Sequence, residues 1–330
     1  MHRHLICVAV IIFVAVMLFV FLVPGNADAS KARRLQCTKT GDVPGQNVGL
    51  MGLRRKHKEF KKMAKRTSVP RRLRADPAIT LPDAWDWRDT GKHLTLNISM
   101  HTNFCTRLLN QHIPVYCGSC WAHAAVSSVS DRIMIAQKTP GPPVNLSVQV
   151  VLNCATRAGS CEGGDPVGVF EYLHATGLPS ETCQPYLAID GQGCAPENVC
   201  RSCAPGANYA SNVKDSVCCA MPDPQLYKVS AHGTIRAGDV KAIMTEVYLR
   251  GPVACSLNAT PLLAYTGGIY SDVKASKEID HVVSIVGWGP TYWIVRNSWG
   301  AYWGEDGFCR ILKGKNCLGI ESDVVWADPI

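Results

Sequence analysis

The residues of this chain that could do chemistry start with a cysteine. In the stretch Asn110-Gln111-His112-Ile113-Pro114-Val115-Tyr116-Cys117-Gly118-Ser119-Cys120-Trp121-Ala122-His123, Cys120 follows a Gly-Ser pair and opens an apolar run through Ala122, Ala124, Ala125, Val126, Val129, Ile133 and Met134. That run predicts a buried helix with Cys120 in its first turn. A helix N-terminus carries partial positive charge and free N–H groups, so it favours a thiolate over a thiol. The thiolate is the form of cysteine that attacks a carbonyl carbon. Two other readings of Cys117-x-x-Cys120 exist. A thioredoxin-like redox pair would need a short βαβ domain around it, and half of a zinc site would need a second pair at finger spacing. The sequence offers neither context, so no metal and no cofactor is expected.

A nucleophilic cysteine needs a base and an orienting group, and two residues downstream have the right types. His281 opens the strand-like run Asp280-His281-Val282-Val283-Ser284-Ile285-Val286-Gly287-Trp288-Gly289, and Asn297 lies 16 residues further on, in Arg296-Asn297-Ser298-Trp299-Gly300. Paired with Cys120, His281 would lower the thiol pKa and later protonate the leaving amine. The Asn297 amide would hold the imidazole in the right tautomer. Trp299 would shield that hydrogen bond from water. Gln111, with the Cys120 backbone N–H, would stabilise the oxyanion of a tetrahedral intermediate.

These residues must be positioned by the elements around them. After the Cys120 helix, short helices are expected through Val148–Leu152 and near Val167–Ala175, the latter stopping before Gly177. The glycines of Ser160-Cys161-Glu162-Gly163-Gly164 permit a sharp turn and close backbone approach. Residues 183–219 read as an irregular loop rich in cysteine. In an oxidising compartment, disulfides account for its Cys200-x-x-Cys203 better than zinc does. A last helix is expected near Asp239–Leu249. Then the pattern changes to strands at Val253–Leu257, Val282–Val286, Tyr292–Val295 and Phe308–Leu312, separated by Gly/Pro turns. The fold class is therefore α+β: a mainly helical lobe, then a mainly antiparallel β lobe, with the active-site cleft between them.

Composition places the chain outside the cytosol. It has 330 residues and 16 cysteines, a density that implies disulfides. Arg3, an apolar run from Leu5 to Val23, Pro24-Gly25 and the small-x-small site Ala27-Asp28-Ala29 form a secretory signal peptide over residues 1–29. The run is long enough for an uncleaved anchor to be the competing reading, but the Pro-Gly break and the cleavage site favour removal, with no stable membrane insertion. Asn97, Asn145 and Asn258 stand in glycosylation sequons. The formal charge of +8 is local: residues 1–80 hold 16 Lys/Arg against 4 Asp/Glu, which leaves 18 against 22 for residues 81–330. A basic stretch such as Arg54–Arg74 could suggest nucleic acid or a membrane surface. On the secretory route it reads instead as a propeptide, residues 30–80, and no nucleic-acid partner is expected. The mature domain, 81–330, opens near Leu81-Pro82, just before Trp85-Asp86-Trp87-Arg88.

The Gly-Ser-Cys-Trp, Gly-Trp-Gly and Asn-Ser-Trp-Gly strings, with Gln111 upstream, resemble the papain-like cysteine peptidases over residues 81–330. The resemblance implies the two-lobed fold, peptide-bond hydrolysis, peptide or protein substrates, cystatin-type inhibitors, and a lysosomal or secreted location. It also implies disulfides Cys117–Cys161, Cys154–Cys194 and Cys183–Cys200, with Cys203 bonded to Cys218 or Cys219. Cys105 is extra, and the partner of Cys255 is open between Cys309 and Cys317. A narrower similarity is to a branch in which His112-Ile113-Pro114 is inserted after the oxyanion glutamine and Ala122-His123 replaces the usual aromatic ending. In that branch the inserted loop narrows the cleft, the enzyme is a carboxypeptidase, and the propeptide cysteine, here Cys37, bonds the nucleophile until activation. His112, largely cationic at lysosomal pH with an ordinary pKa near 6.5, is then the expected anchor for the free carboxylate of a substrate C-terminus. The competing functions are a papain-fold endopeptidase or dipeptidyl peptidase, and a catalytically silent binding protein.

Overall fold

The helix that begins at Cys120 runs to Gln137 (α1), and it is buried nearly all round. The structure, a computed structural model of the chain, describes residues 79–91, 103–137, 143–204 and 217–330. On one side α1 packs on Val148–Cys154 (α2) and Pro166–Ala175 (α3); on the other it lies against a sheet. Its apolar residues Trp121, Ala125, Val126 and Val129 join Val150, Val151, Leu152, Phe170 and Leu173 in the helical lobe's core. α2 is capped by the Ser147 hydroxyl, which accepts from Val150 N–H, and α3 by Asp165, which accepts from Val167 N–H. Both caps satisfy N–H groups that a helix start leaves open.

The sheet makes the second lobe. β1 is Trp85–Asp86, β6 Val229–Ile235, β7 Val253–Leu257, β8 Ile269–Tyr270, β9 His281–Trp288, β10 Tyr292–Arg296, β11 Phe308–Leu312 and β12 Val324–Pro329. The strand order is β6-β12-β7-β9-β10-β11-β8, with β1 paired to β9. All pairs are antiparallel except β11 with β8, which is parallel. β9 is buried along its whole length, as a central strand covered on both faces must be. One face carries the second core, where Trp288, Trp293, Val283, Ile285 and Trp326 meet Ile243 and Val247 of α5 (Val240–Arg250). Trp85 and Trp87 stack edge to face at 5.0 Å and pack there too, with Trp87 Nε1 donating to Val247 O at 2.7 Å.

The α+β class and the expected helices and strands are present. Residues 183–219 are more regular than their sequence suggests: Pro196–Val199 forms a short helix (α4), and Arg201–Ala204 (β4) pairs with Val217–Ala220 (β5). Two further two-residue strands, Gly159–Ser160 (β2) and Gly163–Gly164 (β3), form the turn beside Trp121. A Cβ on Gly164 would sit 2.5 Å from the Trp121 ring, which is why glycine occupies that position. Strands β1, β6 and β12 escape the sequence reading because two are short or Pro-terminated and the third mixes Ser, Ala and Gly with its apolar residues.

Four disulfides join Cys117–Cys161, Cys154–Cys194, Cys183–Cys200 and Cys203–Cys218. Cys203 and Cys218 face each other across the β4–β5 ladder, whereas Cys219 is opposite Ser202 and its side chain points to the other face. Cys219 is disulfide-bonded as well. The pairing left open for Cys255 is not formed: Cys255, Cys309, Cys317 and Cys105 are free thiols. Cys37, Asn97 and the basic segment lie outside the described residues.

Charged groups hold the two lobes together. Asp131 of α1 is fully buried; it accepts from Thr106 N–H and Oγ1 at 2.7 and 2.8 Å and pairs with Arg296 of β10. One residue on, Arg132 pairs with Glu246 and Asp328 at 2.9 Å each and donates to the Gly251, Pro252 and Ala327 carbonyls. A buried charge stripped of its partner is strongly destabilising. Arg296→Met should therefore lower unfolding free energy by about 3–5 kcal/mol, read by denaturant titration. Adding Asp131→Asn, which keeps an acceptor for Thr106 but removes the orphaned charge, should recover part of that loss.

Candidate active site

Cys120 is the first residue of α1, and His281 is the first residue of β9. The lobes bring them together across the cleft, where the Cys120 thiol hydrogen-bonds His281. Burial alone would raise the Cys120 pKa. The His281 charge, its hydrogen bond, and backbone N–H groups of Val282 and Trp121 outweigh that, and the net pKa is lowered. On His281, burial pulls the pKa down, while Cys120, the Asn297 hydrogen bond and Asp280 raise it to a net increase. The two shifts have the signs of a thiolate–imidazolium pair. The other described free thiols go the opposite way, led by burial: Cys105, Cys255 and Cys309 are raised, and Cys317 is pushed up to about 11.

The geometry also fixes the imidazole's tautomer. His281 Nε2 lies 2.8 Å from Asn297 Oδ1, and Ser298 N–H donates to the same oxygen at 2.8 Å. With Oδ1 held as acceptor, Nε2 carries the hydrogen and Nδ1 is left for the sulfur. Asn297 follows the last residue of β10, so the ladder between β9 and β10 sets its distance from His281. Trp299 covers the imidazole with ring centroids 5.0 Å apart.

Gln111 is buried and held on all sides. Its N–H donates to Ser298 O at 2.9 Å, its Oε1 accepts from Ser298 Oγ at 2.6 Å, and its Nε2 donates to Cys117 O at 3.0 Å. One Nε2 hydrogen remains for a ligand. Gly118 lets this segment pass close to its disulfide partner: its N–H donates to Cys161 O at 2.6 Å, and a Cβ there would lie 2.7 Å from that oxygen.

His112 sits on the inserted loop. Its N–H donates to Asn110 Oδ1 at 3.0 Å, its ring stacks on Tyr116 at 4.4 Å between centroids, and Ile113-Pro114 is cis. Its pKa is lowered, first by burial and then by the charge of His281. This departs from the ordinary value that the sequence supports. Of the sequence-derived side chains, Cys120, His281 and Asn297 come together with Trp299 over the imidazole, Gln111 is tied to Ser298 next to Asn297, and His112 feels the His281 charge from the neighbouring loop. Sequence reasoning missed the supporting set of Ser298, Ser119, Tyr186 and the Asp131–Arg296 pair. Only Ser298, inside Asn-Ser-Trp-Gly, had a local signal. Cys120 carries a free thiol, and Cys37, its expected partner before activation, lies outside the described residues.

A buried cysteine whose pKa is lowered beside a histidine whose pKa is raised, with an asparagine amide on that histidine, set between a helical lobe and a sheet, is the arrangement of a cysteine peptidase. The chain belongs to the papain family of cysteine proteases, whose domain matches residues 81–327. It is 42% identical over 264 residues to cathepsin Z of Onchocerca volvulus, covering 76% of this chain and 78% of that protein. It is 32% identical to cathepsin B-like protease 1 of Arabidopsis thaliana, covering 78% and 70%. Among solved structures, the digestive procathepsin L2 of Tenebrio molitor larval midgut superposes with a TM-score of 0.60 at 26% identity, covering 76% of this chain and 70% of that one. The bromelain protease of Ananas comosus, solved with the inhibitor E64, gives 0.57 at 26% identity, covering 75% and 99%.

Cys120 should alkylate with haloacetate about tenfold or more faster than Cys105, Cys255, Cys309 or Cys317 at neutral pH, since one pKa unit is a factor of ten in thiolate. The rate should rise through the lowered Cys120 pKa. It should then fall above the raised His281 pKa, where the imidazolium that attracts the anionic reagent is lost. Mass spectrometry of labelled peptides across pH gives both limbs.

Proposed function

We propose that this papain-family peptidase is a carboxypeptidase that releases single C-terminal residues, with Cys120 as nucleophile, His281 as acid and base, Asn297 orienting His281, and Gln111 with the Cys120 N–H as the oxyanion hole. The observation that carries the C-terminal preference is the short loop that holds His112 one residue after Gln111, where the His281 charge acts on its ring. An imidazole there would face the side where a leaving group departs. A terminal carboxylate one residue past the scissile bond would pair with protonated His112, and the loop from His112 to Tyr116 would obstruct longer chains. The similarity to cathepsin Z supports the same reading. The disulfides of the helical lobe support an oxidising, secretory or lysosomal setting for it.

The lowered pKa of His112 adds a condition. Burial and the His281 charge favour the neutral ring in the free enzyme, and a bound carboxylate would favour the protonated one. Activity on free C-termini should therefore be highest at acidic pH and decline as pH rises through the His112 pKa in the complex. The decline should appear in KM for the free acid and not for the amidated peptide.

Product analysis on one peptide with a free and an amidated C-terminus tests the reading. Cys120→Ala should abolish hydrolysis of both while keeping the disulfides. His112→Ala should lose about ten- to a hundredfold in kcat/KM on the free acid, the worth of a charged hydrogen bond, while Cys120 alkylates normally. If His112→Ala trims free C-termini as fast as the parent, with the same bias against amides, His112 is not the anchor.

A further inference from the structure

The two donors that face a developing oxyanion reach the site by separate routes. Gln111 and Cys117 are joined through His112–Tyr116, and Ile113 and Tyr116 on that stretch are exposed to solvent. A loop that bulges outward cannot by itself fix Gln111 relative to Cys120. The Tyr186 phenol crosses this gap: its hydroxyl is 2.8 Å from the Gln111 carbonyl oxygen and 2.7 Å from Ser119 Oγ, and Ser119 directly precedes Cys120. We propose that Tyr186 is a positioning residue, a strut that holds Gln111 at its working distance from the Cys120 N–H; this rests on the oxyanion role assigned to Gln111 above.

The hydrogens along the strut can be placed. The Gln111 carbonyl only accepts, so the Tyr186 O–H donates to it. Ser119 Oγ must then donate to the phenol oxygen. His123 lies behind: its Nδ1 is 3.0 Å from the Ser119 carbonyl oxygen and 3.2 Å from Ser119 Oγ. A carbonyl cannot donate, so Nδ1 carries the hydrogen and leaves the Ser119 hydroxyl free to point at Tyr186. The chain His123 to Ser119 to Tyr186 to Gln111 thus runs in one direction. Burial pushes His123 down to about 4 and Tyr186 up to about 12.

The strut is itself well anchored. Leu187 N–H donates to Gln149 Oε1 at 2.9 Å, Cys183 is bonded to Cys200 just upstream, and the Tyr186 ring stands edge-on to His123 at 4.7 Å. Gln111's other contacts hold its amide group to Ser298 Oγ and to the Cys117 carbonyl oxygen, two residues before Ser119. Tyr186 adds the tie from the Gln111 backbone carbonyl to the Ser119 side chain, next to Cys120.

The test uses the activated enzyme, normalised by titration of Cys120. In Tyr186→Phe, which deletes one oxygen, kcat/KM for peptide hydrolysis should fall about tenfold through kcat, with KM little changed. Affinity for a peptide aldehyde, whose tetrahedral adduct places an oxygen in the same hole, should fall by a similar factor. Alkylation of Cys120 by haloacetamide forms no oxyanion there, so its rate and pH profile should match the parent's. Placed on Gln111→Ala, the Tyr186 change should add less than about twofold, because the group it positions is gone. If Tyr186→Phe folds poorly, Ser119→Ala removes the other foot of the strut and should give the same split between hydrolysis and alkylation. The inference is overturned if Gln111→Ala impairs hydrolysis and Tyr186→Phe does not, if hydrolysis and alkylation fall together, or if Tyr186→Phe keeps its full effect on Gln111→Ala. Full activity in Gln111→Ala would instead overturn the role of Gln111.

Discussion

The structure depends first on a buried ion pair. Asp131 sits three turns along the helix that starts at Cys120, and Arg296 sits immediately before Asn297. Their contact fixes the helix that starts at Cys120 to the strand that leads into Asn297, whose Oδ1 meets His281 Nε2. Both are removed from water, so the pair is worth having only because its remaining valences are filled: Thr106 donates twice to Asp131, and Arg296 also reaches Ser284 and the Thr106 carbonyl. Arg132, beside it on the helix, does the same for α5 and β12. A helix with two adjacent charges in its buried middle would be unstable alone. Here those charges define how the lobes meet, and the cleft lies along that meeting.

That arrangement explains why the chemistry splits as it does. The thiol comes from the helical lobe, where a helix start and a buried position can be combined. The imidazole comes from the sheet, where ladder pairing of β9 with β10 spaces His281 and Asn297 within hydrogen-bond reach. Neither lobe alone holds a reactive cysteine. Cys255 and Cys309 are at least as buried as Cys120, but no cation offsets burial there, and burial raises both. The difference between Cys120 and the other described free thiols is therefore made by the interface.

What could be read in the sequence follows from the range of the signals. Helix α1 and strands β7, β9, β10 and β11 have local patterns, and the Cys-Trp, Gly-Trp-Gly and Asn-Ser-Trp-Gly strings mark the site within a few residues each. Strands β6 and β12 are edge and near-edge elements, whose pairing is decided by what lies beside them. The pairing of β4 with β5 was hidden by the cysteine content around it, which suggested irregularity. The supporting hydrogen bonds were not legible at all. Tyr186 is 75 positions from Gln111, and no periodicity announces such a contact. The lowered pKa of His112 was likewise inaccessible, because it comes first from burial and then from a second histidine 169 positions away, and neither is a local signal.

Sulfur also divides the molecule. Each of the four bridges staples the helical side, and one of them, Cys117–Cys161, begins three residues before Cys120. Among the described residues the sheet side has only free cysteines, and it relies on tryptophan packing. A reducing agent that keeps the reactive thiol open therefore acts on the same lobe whose loops it would loosen. The usable range of redox potential is bounded on both sides: too oxidising, and Cys120 is capped; too reducing, and the wall that holds Gln111 and Gly118 loses its nearest cross-link. A compartment such as this chain would work in must sit between those limits, and the sheet would outlast the cleft when it does not.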